Sequence, residues 1–318
     1  MSDQHADFSR YNFVCLAGGV GGAKLADGLV RILPPENLTV IVNTGDDFQH
    51  FGLTICPDLD TVMYTLAGVA NVETGWGRAG ESWRTINAVS ELGGADWFRL
   101  GDLDLATHLT RTQLLAEGQT LTAVTRHLCQ RLGIKTAVLP MANQPAPTMI
   151  ETDNGLLPFQ TWFVQKQWQP VVRAIQLPTD VRASLSVMTA LEKADFVLIA
   201  PSNPFVSVDP ILNTYPIRAL LTDLPRAIVA VSPIVGGEAV KGPAAKLLRE
   251  KGLEVSGTAV ANYYGDLLDG FVYDQQDANT VHLEIPTRCL DTMMYTPDDR
   301  IRLARQMVEF AVELGFED

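Results

Sequence analysis

A run of glycines directly after a short apolar segment is the feature that most constrains how this chain folds. Residues 13–17 form an uninterrupted apolar run, which is typical of a buried parallel strand. The segment that follows contains Gly18, Gly19, Gly21, Gly22 and Lys24. Because glycines let the backbone approach an anion closely, and because the first turn of a helix has unpaired N–H groups, this segment predicts a phosphate-binding loop. The helix itself is predicted over residues 23–32.

Two interpretations of the glycine loop stay open. In the favoured one, backbone N–H groups and Lys24 hold a phosphate; in the other, the glycines only permit close packing of strand and helix. The loop matches neither standard nucleotide fingerprint. Lys24 stands where a dinucleotide site has its third glycine, and Ala23-Lys24-Leu25 replaces the Gly-Lys-Ser/Thr of a Walker loop. We therefore predict a phosphate loop that is neither of the NAD type nor of the P-loop ATPase type.

Strands that alternate with helices place the chain in the α/β class. Further buried strands are expected at residues 38–42, 195–200 and 227–231, and helices near 82–92, 103–117, 119–132 and 297–314. This alternation predicts a Rossmann-like, mostly parallel sheet with helices on both faces. The expected core comprises residues 11–60 and 134–318, with a small antiparallel element near 148–175 that turns at Asp153-Asn154-Gly155. Residues 61–133 are expected to form a mainly helical insertion.

Charge and composition exclude several classes of function. The chain has 37 Asp and Glu residues against 24 Lys and Arg, a net charge of −13, whereas a nucleic-acid surface needs clustered basic residues. No apolar run approaches the roughly 20 residues that span a bilayer. The first ten residues are polar, unlike a signal peptide, and the four cysteines lack metal or disulfide spacing. We expect a cytoplasmic protein that binds neither nucleic acid nor membrane.

Four aspartates follow the second predicted strand. Asp46 and Asp47 lie on the loop that leaves its carboxyl end, and Asp58 and Asp60 lie at the start of the next helix. Open α/β sheets bind ligands at this edge, so carboxylates beside a phosphate loop suggest Mg²⁺ held between the protein and a diphosphate. Alternatively, Asp58 caps its helix and the helix dipole stabilises Asp60. The adjacent charges of Asp46 and Asp47 have no such structural explanation.

The predicted insertion concentrates aromatic residues. Three of the five tryptophans lie within it, at positions 76, 83 and 97, next to Arg78 and Arg99. They either stack on a planar heteroaromatic ligand or form a small hydrophobic core. Asp102 or Asp104 is expected to cap the following helix, and His108 on that helix is either an acid–base group or a structural residue.

Two loops at the ends of later strands offer polar groups. Ser202, Asn203 and Pro204 follow the strand at 195–200, and Ser232 follows the strand at 227–231. Rigid, polar loops at this edge of the sheet suit a base or a ribose, although each loop alone is also explained as a turn.

Taken together and in order, these motifs resemble the 2-phospho-L-lactate transferase family. The resemblance covers the chain beyond its first ten or so residues, and its motifs are Gly18–Ala23, Asn43–Asp47, Cys56–Thr61, Gly75–Gly77, Leu100–Asp102, Asp104–His108, Pro201–Pro204 and Val231–Ile234. It implies transfer of a phospholactyl, phosphoenolpyruvyl or phosphoglyceryl group from a guanosine-diphosphate-activated donor to 7,8-didemethyl-8-hydroxy-5-deazariboflavin, with release of GMP. It further implies Mg²⁺ as cofactor and a homodimer. The sequence does not distinguish between the three acids.

The resemblance also implies roles for individual residues. Asp46 and Asp60 are expected to bind the metal. The deazaflavin side is expected to comprise Asp60, Arg99, Thr44, Trp76, Asp102 and His108. The nucleotide side is expected to comprise Gly18, Gly19, Gly21, Gly22, Lys24, Ser202, Asn203, Pro204 and Ser232. Attack by an alcohol on a diphosphate needs positioning, charge neutralisation and an activated hydroxyl, so Asp46 and Asp47 are the catalytic candidates, with Asp47 as a hypothetical proton acceptor.

Two rival functions were weighed against this one. A regulator of the same fold that binds a nucleotide-sugar and catalyses nothing is the nearer alternative. An NAD-dependent oxidoreductase is disfavoured by the broken dinucleotide fingerprint.

Overall fold

The computed structural model describes residues 8–315, so most of the polar N-terminal segment and the last three residues lie outside the described residues. The strands are β1 (Phe13–Ala17), β2 (Leu38–Val42), β3 (Phe48–His50), β4 (Leu53–Ile55), β5 (Ala137–Pro140), β6 (Met149–Thr152), β7 (Gly155–Pro158), β8 (Val172–Gln176), β9 (Phe196–Ile199), β10 (Ala227–Val231), β11 (Ile234–Val235), β12 (Glu238–Ala239), β13 (Gly270–Asp274) and β14 (Thr287–Leu290).

The α-helices are α1 (Gly19–Val30), α2 (Pro57–Leu66), α3 (Arg84–Glu91), α4 (Asp102–Ala116), α5 (Leu121–Arg131), α6 (Leu185–Lys193), α7 (Asp209–Asn213), α8 (Ile217–Asp223), α9 (Ala244–Glu250), α10 (Gly257–Tyr264) and α11 (Pro297–Leu314). Single π-helical turns cover Thr161–Gln165 and Pro204–Val208. None of the described helices combines the length and the apolar character that crossing a bilayer requires.

A seven-stranded parallel sheet organises the chain, in the order β14-β13-β10-β9-β1-β2-β5. From β1 the chain moves outward through β2 to β5, and it then returns to β9 on the other side of β1. The direction of winding therefore reverses between β1 and β9. In open α/β sheets a crevice forms at this point, outside the carboxyl ends of the strands, and ligands bind there. The predicted α/β, Rossmann-like fold is confirmed.

Both faces of the sheet are covered, which explains why the central strands are apolar throughout. Along β1, Val14 and Leu16 belong to one hydrophobic core, while Phe13, Cys15 and Ala17 belong to the other. Helices α1, α2 and α11 contribute to the second core. Helices α6, α7, α9 and α10, with the three-stranded antiparallel sheet β7-β6-β8, contribute to the first.

The structure departs from the sequence-based expectation in several places. Helix α1 begins at Gly19, four residues before its predicted start, so the glycines form its first turn. Strands β13 and β14 were not predicted; β14 is a half-exposed edge strand that lacks a continuous apolar run. The expected boundary between residues 60 and 61 falls within α2, which packs against α1.

Candidate active site

A cavity of about 510 Å³ lies over the carboxyl ends of β1 and β9, within the size range of ligand pockets. Many residues assigned to a site from the sequence line it, namely Gly18, Gly19, Gly21, Lys24, Asp46, Asp60, Trp76, Arg99, His108, Ser202, Asn203 and Ser232. Others that were assigned do not line it, namely Gly22, Thr44, Asp47, Asp102 and Pro204. The structure thus brings together parts of the chain that are up to 277 positions apart, since both Gly18 and Tyr295 line the cavity.

The glycine loop is joined closely to the loop after β9. The Gly18 N–H donates to the Ser202 hydroxyl (3.2 Å), which donates in turn to the Gly18 carbonyl (2.8 Å). A Cβ on Gly21 would lie 2.3 Å from the Pro201 carbonyl oxygen, and one on Gly22 would lie 3.0 Å from Ser202 Oγ. Close packing therefore accounts for Gly21 and Gly22. Gly18 and Gly19 also face the cavity, so the loop serves both packing and the site.

Two buried carboxylates share one amide at the cavity wall. The Asn43 side-chain amide donates to Asp46 (3.0 Å) and to Asp58 (2.9 Å), and Gln160 donates to the other oxygen of Asp46 (3.4 Å). Burial and the neighbouring charge of Asp58 raise the pKa of Asp46 well above its ordinary value. Burial raises the pKa of Asp58 to about 6, against the hydrogen bonds that it accepts from Asn43 and the Gly19 backbone. This pair lacks a neutralising cation among the described side chains.

Asp58 does not cap α2, so that interpretation is wrong. The N-cap position is Cys56, and no side chain caps the helix. Asp58 instead points toward the glycine loop, where a Cβ on Gly18 would lie 2.9 Å from its carboxylate.

Asp47 and Thr44 lie behind the cavity wall. Asp47 pairs with the Cys56 thiol, and burial raises the pKa of its carboxyl group well above the ordinary value. One Asp47 oxygen and the Thr44 hydroxyl are buried without a hydrogen-bond partner in the described part of the chain. A ligand in the cavity would reach neither residue without a local rearrangement.

Asp60 is held in a buried ionic network. Both Nη atoms of Arg111 donate to its carboxylate, one of them at 3.0 Å, and Arg111 also donates to Nδ1 of His108 at 3.1 Å. The other ring nitrogen of His108 lies 3.4 Å from Asp104, which accepts a hydrogen bond from Tyr64 (2.6 Å). Burial disfavours the charged guanidinium, but the charge of Asp60 outweighs it and raises the pKa of Arg111. This network forms the floor of the cavity on the side of the insertion.

The network also bears on metal binding. Ligand atoms of Asp60, Asp104 and His108 lie within 4.8 Å of one another, a spacing that suits a metal ion. However, the guanidinium of Arg111 already neutralises Asp60. The Asp46–Asp58 pair therefore has the greater need for a cation.

The aromatic residues of the insertion serve in part as a small hydrophobic core and in part as a wall of the cavity. Trp97 packs against Phe48 and Phe98, as part of a small hydrophobic core. Trp76, which is 46% exposed, lines the cavity. Arg99 lies over the Trp83 ring at 5.1 Å and also lines the cavity. One wall thus presents an aromatic ring and a guanidinium to a ligand.

Asp102 caps a different helix from the one expected. Its carboxylate accepts hydrogen bonds from the Ser82 hydroxyl and from the backbone N–H groups of Arg84 and Thr85, at the start of α3. The first turn of α4 is capped by Glu81, which accepts from the N–H groups at positions 103 and 104. The expectation that Asp102 or Asp104 caps α4 is therefore wrong.

Several cavity residues were not assigned from the sequence. Tyr64, Asp104 and Lys241 line the cavity, as does the segment Thr292–Tyr295 between β14 and α11. Arg111 lies behind it. A signal for α4 was available, because Asp104, His108 and Arg111 fall at spacings of four and three on a buried helix face, where apolar residues are usual. Lys241 and Thr292–Tyr295 belong to none of the sequence motifs described above, and only the folding of the chain brings them to the cavity.

Comparison with known proteins decides the family. The family model described as 2-phospho-L-lactate transferase CofD matches residues 13–309. The chain belongs to this family. Membership of the CofD family makes the chain a transferase. A phosphoenolpyruvate transferase of Thermobifida fusca is 41% identical over 95% of this chain and 98% of its own length. A 2-phospho-L-lactate transferase of Methanosarcina mazei is 42% identical over 83% of this chain and 87% of its own length.

The solved structures agree on the fold. A UPF0052 family protein of Bacillus halodurans superposes with a TM-score of 0.61, over 94% of this chain and 99% of its own, at 14% sequence identity. At that identity the likeness supports the fold of the CofD family chain and nothing about its activity.

Proposed function

We propose that the chain transfers a phospho-hydroxyacid group, either phospholactyl, phosphoenolpyruvyl or phosphoglyceryl, from a guanosine-diphosphate-activated donor to 7,8-didemethyl-8-hydroxy-5-deazariboflavin. The relatives named as 2-phospho-L-lactate and phosphoenolpyruvate transferases support the class of group transferred. The observation that carries the proposal is the cavity itself. It combines a glycine loop at a helix start, a buried carboxylate pair and an aromatic–cationic wall at the switch point of the sheet.

The reaction balances with one bond formed and one broken. The acceptor hydroxyl oxygen bonds to the phosphorus that carries the hydroxy acid. The bond between that phosphorus and the oxygen bridging to the guanosine side breaks, and GMP leaves with the bridging oxygen. The hydroxyl proton passes to a base. Such a transfer depends on positioning and charge stabilisation more than on a covalent enzyme intermediate.

The donor nucleotide and the deazaflavin are proposed to bind to different walls of the cavity. The glycine loop with Ser202, Asn203 and Ser232 is proposed for the donor nucleotide. The side-chain oxygen of Asn203 accepts from the Phe205 N–H, which leaves its buried Nδ2 donor without a partner in the described residues. That fixed, unused donor suits a carbonyl or phosphate oxygen of the nucleotide. Arg99 and Trp76 are proposed for the deazaflavin, because a flat ring system matches an aromatic ring and a guanidinium.

The carboxylate wall fits Mg²⁺. Mg²⁺ prefers oxygen ligands, and Asp46 and Asp58 are buried like charges that only amide and backbone donors contact. We propose that Asp46 and Asp58 hold the ion, with Asp60 next to them and neutralised by Arg111. A bound Mg²⁺ would offset the negative charge of the donor diphosphate.

The base that accepts the hydroxyl proton is proposed among the carboxylates that reach the cavity. Asp46 lines the cavity, so its carboxylate is the proposed acceptor of a proton from a hydroxyl bound there. Asp47 keeps its place as a catalytic candidate only if a substrate-bound state exposes it, because its carboxyl group pairs with Cys56 and does not line the cavity.

One experiment tests the function. The purified chain is incubated with hydroxy-deazariboflavin and each of the three guanylated donors, and product mass and GMP are measured. We expect one donor to yield a deazaflavin carrying the phospho acid, with GMP. Asp46→Asn should lose most of the activity, whereas Asp96→Asn, a change at an exposed residue outside the cavity lining, should not. No product with any donor would contradict the proposal.

The homodimer implied by the family resemblance is also a proposal. Sedimentation equilibrium should give twice the chain mass of 34.7 kDa. A mass of 34.7 kDa at micromolar concentration would contradict it.

A further inference from the structure

Two lysines reach the cavity from distant parts of the chain, and neither is paired with an acid among residues 8–315. Lys24 lies on α1, and its ammonium donates to the Met294 carbonyl at 2.8 Å. Lys241 lies just after β12, and its ammonium donates to the Thr74 carbonyl at 2.6 Å. Both side chains line the cavity.

The two ammonium groups lack an acidic partner among the described residues of a strongly acidic chain. Acidic residues outnumber basic ones by 37 to 24. Some of the other basic side chains are paired with acids, such as Lys246 with Glu250 and Arg300 with Asp27. Among the described residues, no carboxylate lies within 4.0 Å of the Lys24 or Lys241 ammonium. The two positive charges at this end of the cavity are therefore left to a ligand.

The two ammonium groups also lie near each other. Burial lowers the pKa of Lys24, and so do the positive charges of Arg300 and Lys241. Burial likewise lowers the pKa of Lys241. Partial burial and mutual repulsion both disfavour the charged forms of the two ammonium groups. An anion bound between them would offset both effects. Perturbed groups of this kind are concentrated at functional sites.

Close packing holds Lys241 in place beside the glycine loop. A Cβ on Gly75 would lie 2.9 Å from the Lys241 ammonium and 3.2 Å from a methyl group of Val20. The 74–77 segment therefore packs between Lys241 and the first turn of α1. This contact places the Lys241 ammonium beside the first turn of α1, and the first turn of a helix has unpaired backbone N–H groups.

We propose that Lys24 and Lys241 together form a two-ammonium site for the diphosphate of the donor; this rests on the proposed function. Lysine ammonium groups are compact point charges that bind phosphate oxygens. Both ammonium groups line the same cavity as the glycine loop and the Asp46–Asp58 pair.

The test is titration calorimetry of GDP, guanosine and inorganic pyrophosphate. Three variants are compared with the wild-type chain: Lys24→Met, Lys241→Met and Lys135→Met. Lys135 is exposed and does not line the cavity, so it is the matched control. We expect each cavity variant to weaken GDP and pyrophosphate binding on the order of tenfold and to leave guanosine unchanged. Their GDP affinity should also depend less on KCl concentration.

The outcomes separate the possibilities. Equal weakening of GDP and guanosine would overturn the proposal, because Lys241 would then only tether the loop that carries Trp76. Unchanged GDP affinity in both variants would overturn it as well. A further outcome is that wild type binds pyrophosphate but not GDP, with Lys241→Met binding neither. That result would support the two-ammonium anion site and would contradict a guanylated donor. Wild type that binds neither GDP nor pyrophosphate would overturn the anion site itself.

Discussion

The ion pair between Arg111 and Asp60 gives the sharpest prediction about stability. Arg111 is fully buried, and two of its nitrogens donate to Asp60. Arg111→Met leaves a buried carboxylate without its counter-charge, and removing one partner of a buried pair typically costs about 3–5 kcal/mol. Since folded domains are stable by only about 5–15 kcal/mol, the effect should be large. Urea denaturation measures it, provided that tryptophan fluorescence and circular dichroism give coincident transitions.

A double-mutant cycle separates this pair from general damage to the core. Asp60→Asn with Arg111→Met leaves no uncompensated charge, so the double variant should be more stable than the sum of the single effects predicts by about 2 kcal/mol. Arg249→Met breaks a pair in which both side chains are more than half exposed, and it should cost at most about 1 kcal/mol. Additive effects in the cycle, or equal losses for Arg111→Met and Arg249→Met, would show that Arg111 and Asp60 do not stabilise the fold as a buried pair.

Three further predictions follow from the cavity walls. Because the pKa of Asp58 is raised to about 6, the folded chain holds that proton more tightly than the unfolded chain, so wild type loses stability as pH rises from about 4 to about 6. Asp58→Asn should therefore gain up to about 3 kcal/mol relative to wild type across this window, measured by urea denaturation in EDTA, and a pH-independent difference would count against it. Gly21→Ala should destabilise the chain by about 1–3 kcal/mol in the same assay, because its Cβ meets the Pro201 carbonyl; a loss below about 0.5 kcal/mol would contradict the packing. Arg99→Met should raise KM for the deazaflavin about tenfold while the exposed Arg126→Met does not, and equal KM values would exclude Arg99 from that wall.

Much of the fold could be predicted because its signals are local. Strands β1 and β2 lie where uninterrupted apolar runs predicted them, since a strand covered on both faces carries apolar residues at every position. The start of α1 could not be placed, because glycine is a poor helix former and reads as a loop. Strand β14 was missed because an edge strand that is half exposed needs no apolar pattern.

The site could be predicted only in part, for a related reason. Asp46 and Ser202 follow the ends of parallel strands, where the α/β topology itself directs ligands, and Asp60 lies in the helix that comes next after Asp46. Asp47, adjacent to Asp46, pairs with the Cys56 thiol and does not line the cavity, and spacing along a loop does not reveal such a difference. Arg111 and Lys241 are recognised only once the structure shows which residues surround them. In a sequence, a lone basic residue is most often a solvated one.

The most direct test of the proposed transfer follows the phosphorus atom. A guanylated donor labelled at the phosphorus next to the hydroxy acid is converted in a single turnover, and the products are separated. We expect all label to move to the deazaflavin product, in a one-to-one ratio with unlabelled GMP. Label recovered in the guanosine nucleotide, or release of GDP in place of GMP, would contradict the proposed transfer.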